Sequence, residues 1–310
     1  MLADGAVEAS VSGVPAVVER AVLTAWGARL GREPRTVSAA PVGGGCISPS
    51  VRLESGSGDV AFLKWGNPDT PAGLFTAEAR SLAALHAPGA VRVPEVLAVS
   101  DQGAGWLLLE WLEPGPATRA TWEALGRGLA GLHATRVERY GAAADNFIGS
   151  LPQRNGWLDE WPAFWRERRL EPQLRQAYAE GHFSSADRRS FDRLLAALPD
   201  RLAGTGAEGA SLLHGDLWSG NVHVTRAGTA ALVDPSSYYG HREVDLAMSE
   251  LFGGFDTTFY RAYAEAWPLL PGYDPVRRAV YQLYYLLAHV NLFGGGYVRA
   301  SLGALARAGG

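Results

Sequence analysis

The stretch LLHGDLWSGNVHV, residues 212–224, decides how this chain is read. It sets His214, Gly215 and Asp216 in a row, with Asn221 five residues after the aspartate and apolar residues on either side. Thirteen residues beyond Asn221, the apolar run Ala230–Val233 ends in Asp234. An H-x-D-x-x-x-x-N loop followed by a strand ending in aspartate supplies what phosphoryl transfer to a hydroxyl needs. One carboxylate orients the nucleophile and takes its proton; an amide oxygen and a second carboxylate hold Mg²⁺ against the phosphates. Hard oxygen ligands suit that ion. Taken singly, Asp and Asn favour turns for local reasons. Three of them at this spacing, between apolar segments, mark Asp216 as catalytic and Asn221 and Asp234 as metal ligands.

Upstream, Gly43, Gly44 and Gly45 lie between two expected strands, where backbone N–H groups can approach phosphates. A strand and a hairpin later comes Phe62-Leu63-Lys64. Of the 28 basic residues, 27 are arginine and one, Lys64, is lysine. A compact ammonium kept where every other cation has become a planar fork marks a place where the fork does not fit. Fourteen residues on, Glu78 sits in a helical stretch, placed to fix the lysine head as kinase chemistry requires. The strand around Leu107–Leu112 runs into Glu113-Pro114-Gly115, so Glu110, Trp111 and Leu112 are the expected adenine-binding backbone between two lobes.

Periodicity predicts helices over 14–30, 73–86, 118–135, 157–180, 184–203, 242–252, 256–267 and 274–293, and strands over 36–42, 50–54, 60–65, 94–99 and 106–112, with a strand-rich island at 211–235. Strands first and helices after indicate an α+β chain. The expected division is an N-lobe over 1–112, a Pro/Gly hinge at 113–117 and a helical C-lobe over 118–310. Net charge is −4 and the pI about 6.0, which gives no electrostatic footprint for nucleic acid. The N-terminal residues lack the pattern of a secretory signal, and no run of ~18 apolar residues is present to span a membrane. With a single cysteine no internal disulfide forms, and a cytoplasmic location is expected. That cysteine, Cys46, directly follows the three glycines and is a candidate redox site.

The phrases HGDLWSGN, DPSSYYGHREVDLAM, FGGF, DNFIG, PQRNGW and NLFGGGY resemble the fructosamine kinase (ketosamine-3-kinase) family from about Gly43 to about Arg299. The resemblance implies a bilobal protein-kinase-like fold, with a strand-rich N-lobe and a mainly helical C-lobe. It implies ATP- and Mg²⁺-dependent phosphorylation of the 3-hydroxyl of a ketoamine, small or protein-bound, whose 3-phosphate then decomposes and releases the amine. By motif, Asp216 becomes the base, Lys64 the phosphate lysine paired with Glu78, and Asp245 a brace of the catalytic loop. The likeness also places His289 and Asn291 near the acceptor. His214 is expected to support the loop, as the histidine of this motif does in kinase-like folds. Trp218, inside a tight loop, is expected as a sugar platform. Trp157, Trp161, Phe164 and Trp165, at helical spacing, are expected to pack the core. Aminoglycoside and choline kinases resemble the H-x-D-x-x-x-x-N loop, but usually lack the Leu-Trp-Ser-Gly interior and the Tyr-Tyr-Gly-His tail; the DPSSYYGH phrase argues against an aminoglycoside, choline-like or homoserine acceptor. A nucleotide-binding pseudokinase would lack a ligand or the base, whereas Lys64, Asp216, Asn221 and Asp234 are all present here. Monomer and homodimer both remain open.

Overall fold

Val51 and Leu53 alternate with Ser50, Arg52 and Glu54, and this two-residue period gives a strand one apolar face. The computed structural model, which describes residues 13–34, 37–43, 48–103 and 105–310, builds a sheet on that pattern. Two compact units result: residues up to Ala79 with Pro94–Trp111, and Arg80–Val93 with Leu112–Gly310. The division falls inside the helix expected over 73–86.

The first unit holds α1 (Ala16–Leu30), β1 (Ser38–Pro41), β2 (Ser50–Glu54), β3 (Val60–Trp65), the start of α2 (Leu74–His86), β4 (Val96–Ser100) and β5 (Trp106–Glu110). Its sheet runs β1-β2-β3-β5-β4, with every neighbouring pair antiparallel. Val18, Val22 and Trp26 of α1 share one core cluster with Val51, Leu53, Leu63, Trp65 and Leu108. The Gly31 cap of that helix adopts the left-handed conformation, as a helix terminator should.

The second unit continues with α3 (Arg119–His133), β6 (Arg136–Val137), β7 (Asn146–Ile148), β8 (Leu151–Gln153), α4 (Trp161–Phe164), α5 (Glu171–Ala179) and α6 (Ser185–Arg201). Then come β9 (Ala210–Leu213), β10 (Val222–Val224), β11 (Ala230–Leu232), β12 (Tyr238–Gly240), α7 (Glu243–Leu251), α8 (Thr257–Ala266), α9 (Arg278–Phe293) and α10 (Val298–Arg307). Thr118 and Ser184 open α3 and α6 with capping boxes. α9 is buried on nearly every side from Ala279 to Val290, the signature of a central helix.

One departure from the expected elements has a local cause. The helix expected over 157–180 is broken by a π-helical turn at Trp165–Leu170, just ahead of Pro172. Proline lacks an N–H and crowds the carbonyl four residues back, so the widened turn admits it. The hairpin β7–β8 and the helix α10 were not anticipated; α10 buries only Ser301, Ala304 and Leu305 among its residues. Residues 113–117 are tied to the second unit. Gly115 N–H donates to the Val224 carbonyl at 2.9 Å, and the Gly115 Cα lies so close to the Thr225 backbone that a side chain would collide.

Candidate active site

β9 is buried at all four positions and delivers His214, Gly215 and Asp216 at its end. A short 3₁₀ turn, Ser219–Asn221, then leads into the antiparallel hairpin β10–β11, where Val222 faces Leu232. That register sets Asn221 beside Val233, whose N–H donates to the Asn221 carbonyl at 3.0 Å, and brings Asp234 to the same end. The second unit therefore gathers Asp216, Asn221 and Asp234. Among the described residues, Asp234 is the one non-glycine with a positive φ, 52°. Asp is one of the few residues that tolerate this region, and such outliers concentrate at functional sites.

Asp245, at the start of α7, accepts from the N–H groups of His214 (2.7 Å) and Gly215 (2.9 Å). His133 Nε2 bonds the same carboxylate at 3.1 Å, and Tyr263 OH lies 2.8 Å from His133 Nδ1. The Asp216 N–H donates to His214 Nδ1 at 3.2 Å, which makes that nitrogen the acceptor and leaves Nε2–H to donate to the Val233 carbonyl at 3.0 Å. Burial holds both His133 and His214 below the usual histidine range. Gly215 has φ 84° and abuts the Ser236 backbone, so no other residue fits there.

The Asp216 carboxyl is pushed up to about 7, first by burial, then by the negative charge of Asp234 and, more weakly, of Asp245; the Asn221 hydrogen bond opposes the rise. Asn221 spends its Nδ2 on Asp216, so Oδ1 is the end of its amide left to act as an oxygen ligand. An amide oxygen beside two mutually repelling carboxylates is a donor set that fits a hard divalent cation.

In the first unit, Lys64 Nζ lies 2.5 Å from Glu78 Oε2, both side chains nearly buried. Glu110 is held from two directions, its N–H on the Glu95 carbonyl and its Oε2 on the Glu95 N–H. Trp111 lies under the Arg52 guanidinium, 5.5 Å from its ring centre. Leu112, in the second unit, gives its carbonyl to His223 Nε2 at 2.7 Å. An added Cβ on Gly43 would meet nothing within 4 Å. Gly44, Gly45 and Cys46 lie outside the described residues.

Trp218 rests its ring on Gly220, where any side chain would collide with it, and meets Phe252 edge-on at 6.3 Å. Phe252 stacks obliquely on His289 at 5.0 Å, and His289 meets Tyr297 at 4.8 Å. The structure thus joins two of the expected acceptor residues through Phe252, which sequence reasoning missed; the FGGF phrase was its only signal. Asn291 is not brought to them. It follows His289 by two residues, turns to the far side of α9 and donates to Gln173 Oε1 at 2.6 Å. Trp161, Phe164 and Trp165 are fully buried, whereas Trp157 is only partly so, 6.1 Å from the Tyr239 ring.

A family model described as "Fructosamine kinase" matches residues 19–308. The chain belongs to the fructosamine kinase family. Among the curated relatives of this family, a probable ketoamine kinase of Synechocystis sp. is 40 % identical, covering 83 % of this chain and 85 % of the relative. The chloroplastic protein-ribulosamine 3-kinase of Oryza sativa subsp. indica is 36 % identical over 88 % of this chain and 79 % of its own. A crystal structure from Thermobifida fusca, named as a putative fructosamine-3-kinase, superposes with a TM-score of 0.82 at 34 % identity, covering 93 % of this chain and 98 % of that one. A macrolide 2'-phosphotransferase from Brachybacterium faecium shares the fold alone, with a TM-score of 0.56 at 18 % identity over 92 % of this chain and 97 % of that one. This member of the fructosamine kinase family is therefore an α+β phosphotransferase of the protein-kinase-like fold, and another acceptor class is not favoured. Among the described residues, no helix is long and apolar enough to cross a membrane.

Proposed function

We propose that this chain transfers the γ-phosphoryl group of ATP to the 3-hydroxyl of a ketoamine, the rearranged adduct of a sugar and an amine. The observation that carries the reading is the Asp216 carboxylate, held by Asn221 in a loop whose backbone Asp245 grips, with Asp234 at the same end of the hairpin. Asp216 orients the 3-hydroxyl and takes its proton as the oxygen bonds to phosphorus and the bond to the ADP oxygen breaks. Asn221 and Asp234 would hold Mg²⁺, which when bound offsets the charge of the phosphate oxygens. Lys64, fixed by Glu78, pairs with the phosphates, and the Gly43–Gly45 loop covers them. Backbone groups near Glu110, Trp111 and Leu112 meet adenine. Trp218, with Phe252 and His289 beyond it, receives the sugar. Most of the acceleration comes from positioning and fixed charge.

The 3-phosphate product is unstable and releases the amine, so the role is repair of glycated amines, small or protein-bound, in the cytoplasm. The chain acts as a monomer or homodimer, without nucleic acid. The test is a coupled assay of ATP consumption across fructose-, ribulose- and erythrulose-derived ketoamines, with the phosphorylated carbon assigned by NMR. Phosphate on C3 of at least one of them is expected. No turnover on any ketoamine, or phosphate on another carbon, overturns the proposal.

A further inference from the structure

Two consecutive tyrosines of α9 reach the two backbone segments that carry the acidic residues. Tyr285 donates its hydroxyl to the Gly215 carbonyl at 2.8 Å, one residue ahead of Asp216. Tyr284 donates to Gln153 Oε1 at 2.5 Å, and Gln153 Nε2 donates to the Ser236 carbonyl at 3.3 Å, two residues past Asp234. The β7–β8 hairpin grips the same segment twice more. Asn146 Nδ2 donates to the Ser237 carbonyl at 3.1 Å, and Ser236 Oγ donates to the Phe147 carbonyl at 2.6 Å.

These amides are themselves fixed from behind. Asn146 Oδ1 accepts from Gln153 at 2.8 Å and from Asn155 at 2.7 Å. Asn155 Oδ1 in turn accepts from Arg169 at 2.7 Å. Arg169 is fully buried on the π-helical turn, its guanidinium 3.9 Å from the Tyr238 ring centre, and its partners are carbonyl and amide oxygens and ring faces. All three amides are paired at both ends, and Arg169 Nε is the nitrogen left without a hydrogen-bond partner; a buried polar network so largely satisfied favours one geometry. The DNFIG and PQRNGW phrases that build it carried the family likeness but no role.

The backbone at Asp234 is held in a left-handed conformation that only a well-determined surrounding maintains. Neighbouring residues on one helix are about 1.5 Å apart along its axis, so one rigid rod sets the spacing of both segments. We infer that Tyr284, Tyr285, Gln153 and Asn146 are positioning residues that preset the separation of the Gly215–Asn221 loop and Asp234 for a divalent cation before it binds. The inference rests on reading Asn221 and Asp234 as the metal ligands.

The experiment is an EPR titration of Mn²⁺ onto the full chain with a non-hydrolysable ATP analogue, with a thermal melt run on every variant. Asp234→Ala is expected to remove nucleotide-dependent Mn²⁺ binding. Gln153→Met, which keeps the volume, and the double variant Tyr284→Phe/Tyr285→Phe, which keeps both rings, are expected to weaken it about 10-fold. Leu198→Ala, in the core of α6, is expected to lower the melting temperature and leave Mn²⁺ affinity unchanged. If Gln153→Met and the tyrosine double variant both bind Mn²⁺ as the wild type does, the brace is wrong while the ligand assignment survives. If Asp234→Ala also binds normally, the ligand assignment fails and takes the inference with it. Equal weakening by Leu198→Ala reduces the effect to general loss of stability and overturns the inference as well.

Discussion

Asn221 turns its side-chain Nδ2 onto Asp216 at two points, 2.8 Å from the backbone carbonyl and 3.2 Å from carboxylate Oδ2. One amide thus closes the 216–221 loop and fixes the rotamer of the proposed base. Asp216→Asn keeps the size and removes the proton acceptor. It is expected to lower turnover by about 10²- to 10⁴-fold, the usual worth of a positioned base. ATP affinity and melting temperature should stay near wild type. Near-wild-type ketoamine phosphorylation by a folded variant refutes the role.

The Lys64–Glu78 ion pair, with side chains 11 % and 12 % exposed, leaves little room for a larger head group. Lys64→Arg keeps the charge but not the point geometry. Steady-state kinetics are expected to show a loss of about 100-fold or more in kcat/KM for ATP, in the range found when one preorganised donor to the transition state is lost. Glu78→Gln should act in the same direction and less strongly, because the lysine keeps its charge. Unchanged ATP kinetics in both variants would remove the pair from the phosphate site.

Trp218, Phe252 and His289 form one line of ring contacts, and Asn291 points elsewhere. Phe252→Ala is expected to raise KM for the ketoamine by about 2- to 10-fold, from the ~0.5–1.5 kcal/mol of an aromatic pair, while KM for ATP stays fixed. Trp218→Ala should do more. Asn291→Ala should cost stability through Gln173 and leave the acceptor KM alone. A reversed pattern, with Asn291 controlling acceptor KM, would relocate the acceptor site.

Acid stability should depend on Glu208. Burial pushes its carboxyl up, but hydrogen bonds from His241 and Arg242, and their charge, outweigh that and bring it down to about 2. A carboxylate lowered on folding stabilises the native state fully above its unfolded value of about 4.3, and loses that contribution as pH falls toward 2. His133, held neutral by burial, adds a loss that begins below about 6.5, where the unfolded histidine takes up a proton. Asp216, pushed up to about 7, works the other way between pH 7 and 4, so the drop in melting temperature from pH 7 to pH 2 is expected to be carried by its lower stage, below about 4. Glu208→Gln leaves Arg242 buried without a carboxylate, so it should be destabilised at pH 7 by roughly 3–5 kcal/mol and show a flatter lower stage. An unaltered lower stage would contradict the assignment.

Much of this was written in local pattern. β2 and β3 were read to the residue because a half-buried strand alternates with period two, and the expected helices began and ended near Ser, Thr, Gly and Pro signals. Asp216, Asn221 and Asp234 were legible because one loop and one hairpin bring them together over a short span. Residues whose partners are distant in the chain were not. Tyr285 and Gly215 are 70 residues apart, and His133 and Asp245 are 112 apart; nothing in a run of ten residues marks such pairs. Phe252 looked like any apolar residue at a helix end, and Asn291 looked like a neighbour of His289 until the helical turn separated them. The π-helical turn was hidden because its cause, Pro172, also reads as an ordinary first-turn proline.

The near-absence of lysine has a chemical side. Sugars condense with ε-amino groups, and this chain offers one, whose nitrogen is gripped by the Glu78 carboxylate in a residue only 9 % exposed. The other 27 cationic side chains carry guanidinium groups, which hold their protons and do not form the same adduct under the same conditions. A protein that handles glycated amines is thus built almost without lysine amines of its own to be glycated. Amine-directed labels should for the same reason find Lys64 as their sole side-chain target, and bound nucleotide should slow even that reaction.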